Sequence, residues 1–154
     1  MARPQGRRNV ALNRKARFEY ELLEHVEAGI VLLGSEVKSL RSAGIALDES
    51  YVAFDDRGRP MLLGARIAPY EQANRNNHDP MRPKPLLMHA EEIQKFRVKA
   101  RDKGLSIVPV QLYFEGPWCK VEIALGRGKK LHDKRASIRE REDRRDVERA
   151  LRSR

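Results

Sequence analysis

The side chains that most often carry catalysis or bind metals are sparse in this sequence. The four histidines, His25, His78, His89 and His132, have no spacing typical of a metal site, and Cys119 is the only cysteine. A single cysteine excludes an internal disulfide, and in a predicted strand it usually packs into the core. We therefore expect no metal and no cofactor.

Three short segments resemble catalytic motifs but have simpler interpretations. Asp55-Asp56 lies in a turn that contains glycine, and His78-Asp79 are neighbours in a loop, where adjacent side chains rarely face each other. Residues 126–130 resemble part of a phosphate-binding loop, but Lys130 stands where the Mg²⁺-binding hydroxyl is required. The sequence therefore favours a binding protein over an enzyme.

The positive charge lies at the two ends of the chain. The formal net charge is +10, with +6 in residues 1–17, +6 in residues 127–154 and −2 between them. Such an excess indicates a polyanionic partner, either nucleic acid or an anionic membrane surface. A folded middle that binds RNA must therefore gather its few cations on one face.

Composition also indicates the compartment. No apolar run approaches the roughly 18–20 residues that span a bilayer, and the N-terminus has no hydrophobic signal region. The tail, residues 127–154, is too poor in apolar residues to form a membrane-binding face. We expect a cytoplasmic protein without a membrane partner.

The hydrophobic pattern predicts short strands with two helices between them. Alternation starts a strand at Phe18, Ala28-Gly29 breaks it, and Ser35 and Gly44 bound a short helix as its N-cap and C-terminal residue. The other predicted elements are strands at 30–33, 50–54, 60–67, 105–114 and 118–125, an irregular segment at 68–85, and a helix at 90–103.

This order predicts a mainly β protein: an OB-like antiparallel barrel of six strands with two to three peripheral helices. A mixed α+β sandwich is the alternative. Residues 1–12 are expected to be a flexible basic arm, 13–126 the barrel, and 127–154 a basic tail. The tail has favourable Glu140–Arg144 and Glu148–Arg152 helix pairs and repulsive arginine pairs, so it is expected to fold when a polyanion neutralises it.

The proline- and asparagine-rich segment 68–85 offers RNA-binding chemistry. It combines aromatic, amide and guanidinium groups, which suit unpaired RNA bases, although an ordinary polar loop is an equal alternative. Other classes also stay open, namely an RNA-processing enzyme or general RNA chaperone on a small barrel. The side chains concerned are Tyr70, Asn74, Arg75, Asn77, His78 and Arg82.

Several motifs in fixed order resemble the SsrA-binding protein (SmpB) family. The most specific are GSEVKSLR at 34–41 and GKKLHDKR at 128–135. The others are at 13–17, 27–29, 48–52 and 77–80, with Leu86-Leu87 following. Together these stretches extend through nearly the whole sequence.

The resemblance implies an OB-like barrel that grips the tRNA-like domain of transfer-messenger RNA and delivers it to stalled ribosomes for trans-translation, without catalysing a reaction. It also implies that the tail, disordered alone, becomes helical in the empty mRNA channel and substitutes for codon–anticodon pairing. The implied partners are this RNA, the decoding site and 16S ribosomal RNA, and elongation factor Tu indirectly through the aminoacylated RNA.

The resemblance also implies site residues. Arginines and lysines would contact phosphates, Asn13 a base or ribose edge, and Glu27 a base amine, a 2′-hydroxyl or an arginine. Core packing is the alternative for Leu87. The RNA-binding candidates are Asn13, Arg14, Lys15, Glu27, Lys38, Arg41 and Leu87, and the tail candidates are Lys129, Lys130, His132, Asp133, Lys134 and Arg135.

Two positions depart from the family pattern. Phe18 replaces a histidine, and Pro85 replaces a basic residue before the Leu-Leu pair, which removes one charge and one N–H. We expect Arg82 and Lys84 to compensate for that charge.

Overall fold

The computed structural model describes residues 7–72, 77–101, 104–129 and 131–152. Within them seven strands form one antiparallel sheet, and three short helices and a long C-terminal helix accompany it. The strands are β1 (Arg8–Leu12), β2 (Tyr20–Ile30), β3 (Tyr51–Phe54), β4 (Pro60–Leu63), β5 (Lys84–Leu87), β6 (Leu105–Glu115) and β7 (Trp118–Gly128). The helices are α1 (Arg14–Glu19), α2 (Gly34–Ser42), α3 (Ala90–Ala100) and α4 (Leu131–Arg152).

Six of the strands close into a barrel. Their order is β6-β3-β4-β5-β2-β7, and β7 pairs again with β6. Closure leaves no free edge among these strands and encloses a core that includes Leu62, Phe96, Val121 and Ile123. The predicted OB-like six-stranded barrel with peripheral helices is confirmed.

The strand β1 corrects the prediction that residues 1–12 form a flexible arm. Residues 8–12 pair antiparallel with the second half of β6, whose first half pairs with β3. The local composition could not reveal this strand, because it depends on pairing with β6, which lies about a hundred residues away in the sequence. Residues 1–6 lie outside the described part of the chain.

The strand β2 is continuous where the sequence predicted a break at Ala28-Gly29. Ala28 is only 1% exposed, and a Cβ built on Gly29 would lie 3.3 Å from Leu87 Cβ, so small residues are required by close packing. The predicted second strand at 30–33 is wrong beyond Ile30. Phe18 belongs to α1 rather than to a strand.

The N-cap of the helix α2 lies two residues before the predicted one. Its N-cap is Leu33, whose N–H donates to Glu36 Oε1 at 2.7 Å, while the Ser35 hydroxyl bonds His78 Nδ1 at 2.9 Å. Ser35 is therefore not the N-cap. Gly44 closes the helix as predicted: its φ is +80°, and its N–H donates to Ser39 O.

The segment predicted as irregular ends in a strand. Pro85 lies inside β5, paired with Met61, and its carbonyl accepts from Val31 N–H. The strand predicted at 60–67 stops at Leu63, and the helix predicted at 90–103 ends at Ala100. Residues 102–103 lie outside the described chain. The six barrel strands lie between Tyr20 and Gly128, and β1 extends the sheet on the N-terminal side.

Candidate functional site

Glu27 and Leu87 lie on one outer face of the barrel. Gly29, two residues after Glu27 on β2, pairs with Leu87 on β5 and with Lys120 on β7. These strands border a groove of about 290 Å³ lined by Glu27, Leu87, Lys120 and His89. Leu87 is 64% exposed, which excludes the core-packing alternative. We call this the Glu27–Leu87 groove.

Neighbouring strands hold the carboxylate of Glu27 in place. Lys120 Nζ donates to Glu27 Oε1 at 2.9 Å and lies 3.1 Å from Glu115 Oε2, and the Tyr113 hydroxyl donates to Glu27 Oε2. The hydrogen bonds to Glu27 and Glu115 raise the pKa of Lys120. The carboxylate is therefore an oriented acceptor for N–H or O–H donors of a ligand.

Tyr113, Lys120 and Trp118 were not predicted as site residues. Lys120 pairs with Tyr113 across β6 and β7, and the Trp118 side chain is 69% exposed two residues before Lys120. Alternation along β7 puts Trp118 and Lys120 on the same face. This alternation of side chains along the strand could have been used to predict these site residues from the sequence.

Asn13 is not a surface residue, contrary to its prediction as an RNA contact. It is 1% exposed and caps α1, accepting from Ala16 N–H at 3.1 Å. Its amide donates to Leu47 O at 3.2 Å and Pro109 O at 2.8 Å. The first bond caps α1, and the other two tie the start of that helix to β6 and to the loop before β3, so the role of Asn13 in this structure is to hold α1.

The other predicted basic contacts lie on two helices. Arg14 is exposed on α1, whereas Lys15 is bound to Glu49, and this hydrogen bond raises the pKa of Lys15. Lys38 and Arg41 are exposed on α2, over the rings of Tyr70 and Phe114, at 5.8 and 5.5 Å from the centroids.

A buried polar junction connects α2 to the segment before β5. Arg82 Nη2 donates to Glu36 Oε1 at 2.6 Å, and Lys84 Nζ donates to the carbonyls of Ala65 and Arg82, both at 2.8 Å. Burial raises the pKa of Glu36, but the hydrogen bonds from Arg82 and Leu33 outweigh it, so the pKa is lowered. Burial lowers the pKa of Lys84. Because Lys84 is fully buried, it does not replace the surface charge that Pro85 removes.

Two loop side chains that were candidates for RNA contact make hydrogen bonds within the protein. The Asn77 amide bonds both backbone groups of Tyr70, at 3.0 and 2.8 Å. His78 is 7% exposed and bonds Ile67 O at 2.9 Å in addition to Ser35. Asn74 and Arg75 lie outside the described residues.

The tail leaves the barrel beside α1. The backbone N–H of Lys129 donates to Glu19 O at 2.9 Å, and its Nζ donates to Arg17 O at 3.2 Å. Arg135 is exposed on α4, and Arg141 lies 5.8 Å from the centroid of the Phe18 ring. Lys130 lies outside the described residues, as do the side chains of His132, Asp133 and Lys134 within α4.

The described part of the chain contains neither a candidate metal cluster nor a membrane-spanning helix. No group of three His, Cys, Asp or Glu side chains there could hold a metal ion. None of the helices in that part is both long and apolar enough to cross a membrane. Cys119 packs against the core as predicted, and burial raises its pKa to about 12.

Comparison with known proteins gives a consistent result. The family model described as SmpB protein matches residues 10–153. The SsrA-binding proteins of Solidesulfovibrio magneticus and Microcystis aeruginosa are 51% and 49% identical, over 97% and 90% of both chains. A solved structure described as "tmRNA-SmpB: a journey to the center of the bacterial ribosome" matches with a TM-score of 0.68 and 42% identity, over 85% of this chain and 95% of that one.

Proposed function

The chain belongs to the SmpB protein family, and we propose that it binds transfer-messenger RNA and carries it to stalled ribosomes in trans-translation. The Glu27–Leu87 groove would grip the tRNA-like domain. The observation that carries this assignment is the oriented carboxylate of Glu27 beside an exposed leucine and a lysine.

The chemistry of this groove suits structured RNA better than a simple polyanion. A carboxylate repels phosphates but accepts hydrogen bonds from base amines and 2′-hydroxyls, groups that RNA loops expose. Exposed Leu87 and Trp118 offer apolar surface to unstacked bases. Arg14, Lys38 and Arg41 would add phosphate contacts that position the RNA.

The tail would act on the ribosome. The described side chains of α4 are exposed, and Arg141 over Phe18 is a contact of this helix with α1. We propose that α4 is populated mainly when ribosomal RNA neutralises its arginines, and that it then occupies the empty mRNA channel and mimics codon–anticodon pairing. Lys129, Lys130 and the residues at 132–135 would begin that contact. The indirect link to elongation factor Tu stays a prediction.

The test of RNA binding compares two carboxylates of the same strand. Glu27→Ala and Leu87→Ala are expected to weaken binding of labelled transfer-messenger RNA at least tenfold. Glu24→Gln is the matched control, because Glu24 faces Lys95 and Lys99 of α3 instead. If the Glu27 and Leu87 variants bind the RNA with the affinity of the wild type and of the Glu24 control, the groove is not part of the RNA interface.

The test of the tail uses a stop codon after Lys129, which leaves β7 and the Lys129 bonds intact. The truncated protein is expected to bind the RNA and to fail in peptide tagging on stalled ribosomes. Tagging at the normal rate would refute the division of roles.

Incubation of labelled RNA with the protein and Mg²⁺ tests the prediction that no reaction is catalysed; sustained turnover would contradict it.

A further inference from the structure

A second groove lies between β1 and the C-terminal end of α2. It has a volume of about 260 Å³, and its residues come from these two elements, from Ala43 and Gly44, and from Phe114 of β6. Its charged residues are Arg8 and Arg41, and no residue that lines it is acidic. We call it the β1–α2 groove.

The positive charge of this groove is not compensated by the protein. Among the described residues, neither Arg8 nor Arg41 takes part in a salt bridge, whereas Lys15, Lys95, Lys99 and others do. Arg41 stacks on Phe114, which orients its guanidinium without neutralising it. Two like charges in a small groove repel each other, and a bound anion would relieve that repulsion.

The strand β1 adds neutral donors to the two arginines. Among the described residues it pairs only with β6, so its other edge carries backbone N–H groups that no described strand pairs. Asn9 is exposed on the same strand and also lines the groove. Guanidinium, amide and backbone N–H groups are the donors that proteins use to hold nucleic acid phosphates.

Two arginines in a groove are not enough to attract an anion, as a larger groove of the protein shows. It has a volume of about 580 Å³ and contains Arg97 and Arg101, but Glu19, Asp48 and Glu49 line it as well. Its charges offset one another, so it has no excess attraction for an anion. The β1–α2 groove differs because it lacks such acids.

The N-terminal end of β1 lies between this groove and the proposed RNA site. The Arg7 guanidinium lies 4.1 Å from the centroid of the Tyr113 ring, and the Tyr113 hydroxyl bonds Glu27. The next residue, Arg8, lines the β1–α2 groove. Adjacent residues thus face the two sites, because Arg7 contacts the ring of Tyr113 that bonds Glu27 and Arg8 lines the groove that contains Arg41.

We infer that the β1–α2 groove binds a phosphodiester segment of the transfer-messenger RNA whose loop the Glu27–Leu87 groove grips, with Arg8 and Arg41 as the phosphate contacts. This inference rests on the proposed function. It assigns a role to Arg8, in the segment that the sequence predicted to be a flexible arm.

The experiment measures the affinity of the full-length protein for transfer-messenger RNA at several salt concentrations. Arg8→Ala and Arg41→Ala are each expected to weaken binding about tenfold and to lower the slope of log K against log salt by about 0.7–0.9. Arg8→Lys keeps the charge and is expected to keep the slope. Arg57→Ala, at an exposed arginine of the β3–β4 turn, is the matched control and is expected to change neither quantity.

The outcomes separate this inference from the proposed function. If Glu27→Ala weakens binding but Arg8→Ala leaves affinity and slope unchanged, the inference is overturned and the proposed function stands. A loss of affinity without a change in slope also overturns it, because a phosphate contact must release counterions. Binding to small ribosomal subunits is measured in parallel, and a defect confined to them would overturn the assignment to transfer-messenger RNA. If the wild-type protein does not bind this RNA, the proposed function fails first.

Discussion

Replacement of Asn13 by alanine distinguishes a structural role from RNA contact. The change removes the cap acceptor for Ala16 N–H, which costs about 1 kcal/mol, and two donors to the buried carbonyls of Leu47 and Pro109, at about 1 kcal/mol each. Leu47 O keeps two bonds from Ser50, so its loss is the smaller one. We expect the free energy of unfolding to fall by about 2–3 kcal/mol.

The measurement is urea unfolding followed by far-ultraviolet circular dichroism. Asn13→Ser is the informative companion, because a serine hydroxyl still caps a helix but cannot reach both carbonyls; we expect it to recover about 1 kcal/mol of the loss. Asn9→Ala, at an exposed position of β1, is the control and should change stability by less than about 0.5 kcal/mol.

RNA binding is then compared under conditions where every variant is folded. Because Asn13 is 1% exposed, its replacement should leave the affinity of the folded protein within about twofold of wild type. An Asn13→Ala variant with wild-type stability and weakened RNA binding would refute the reasoning and restore Asn13 as an RNA contact.

Other substitutions test the backbone, the buried junction and the thiol. Gly64→Ala should cost about 2 kcal/mol or more, measured by urea unfolding, because φ is +76° and the new Cβ would lie 2.7 Å from Glu49 O. Glu36→Gln should destabilise by about 2–3 kcal/mol at pH 7, since it weakens the bond from Arg82. The pKa of Glu36 is lowered, so its contribution is present above pH 4.5 and lost as the pH falls through the folded value; the difference between Glu36→Gln and wild type should shrink in acid-unfolding curves. Cys119 should react with iodoacetamide at pH 8 far more slowly in the folded protein than in urea, because burial raises its pKa to about 12.

Local sequence signals predicted the elements that depend on their own residues. The hairpin of β6 and β7 turns at Gly116, where φ is +57°, and α2 closes at Gly44 for the same conformational reason. The family was also assigned correctly, because its motifs occur in fixed order. Elements that depend on a distant partner were missed: β1 has only five residues and pairs with β6, about a hundred residues away in the sequence.

The same contrast between local signals and distant partners holds for the side chains. The resemblance to the family implied Glu27 and Leu87 as RNA contacts, but neither it nor residue type could reveal that Lys84 is buried or that Asn13 is a cap. Both positions are determined by backbone carbonyls far away in the sequence, those of Ala65 for Lys84 and of Pro109 for Asn13. No local period carries that information.

Three residues of the most specific described motif hold the helix α2 in place. Within the octet at 34–41, Ser35, Glu36 and Ser39 point inward, to His78, Arg82 and the carbonyl of Ala68. Arg41, on the same helix, is exposed. The junction therefore fixes the height and rotation of α2 against the barrel, and with them one wall of the β1–α2 groove. Residues 18–126, which form most of the barrel, carry a net charge of −2, so their net charge cannot attract RNA. Rigid placement of a few unpaired arginines on one face can attract it instead.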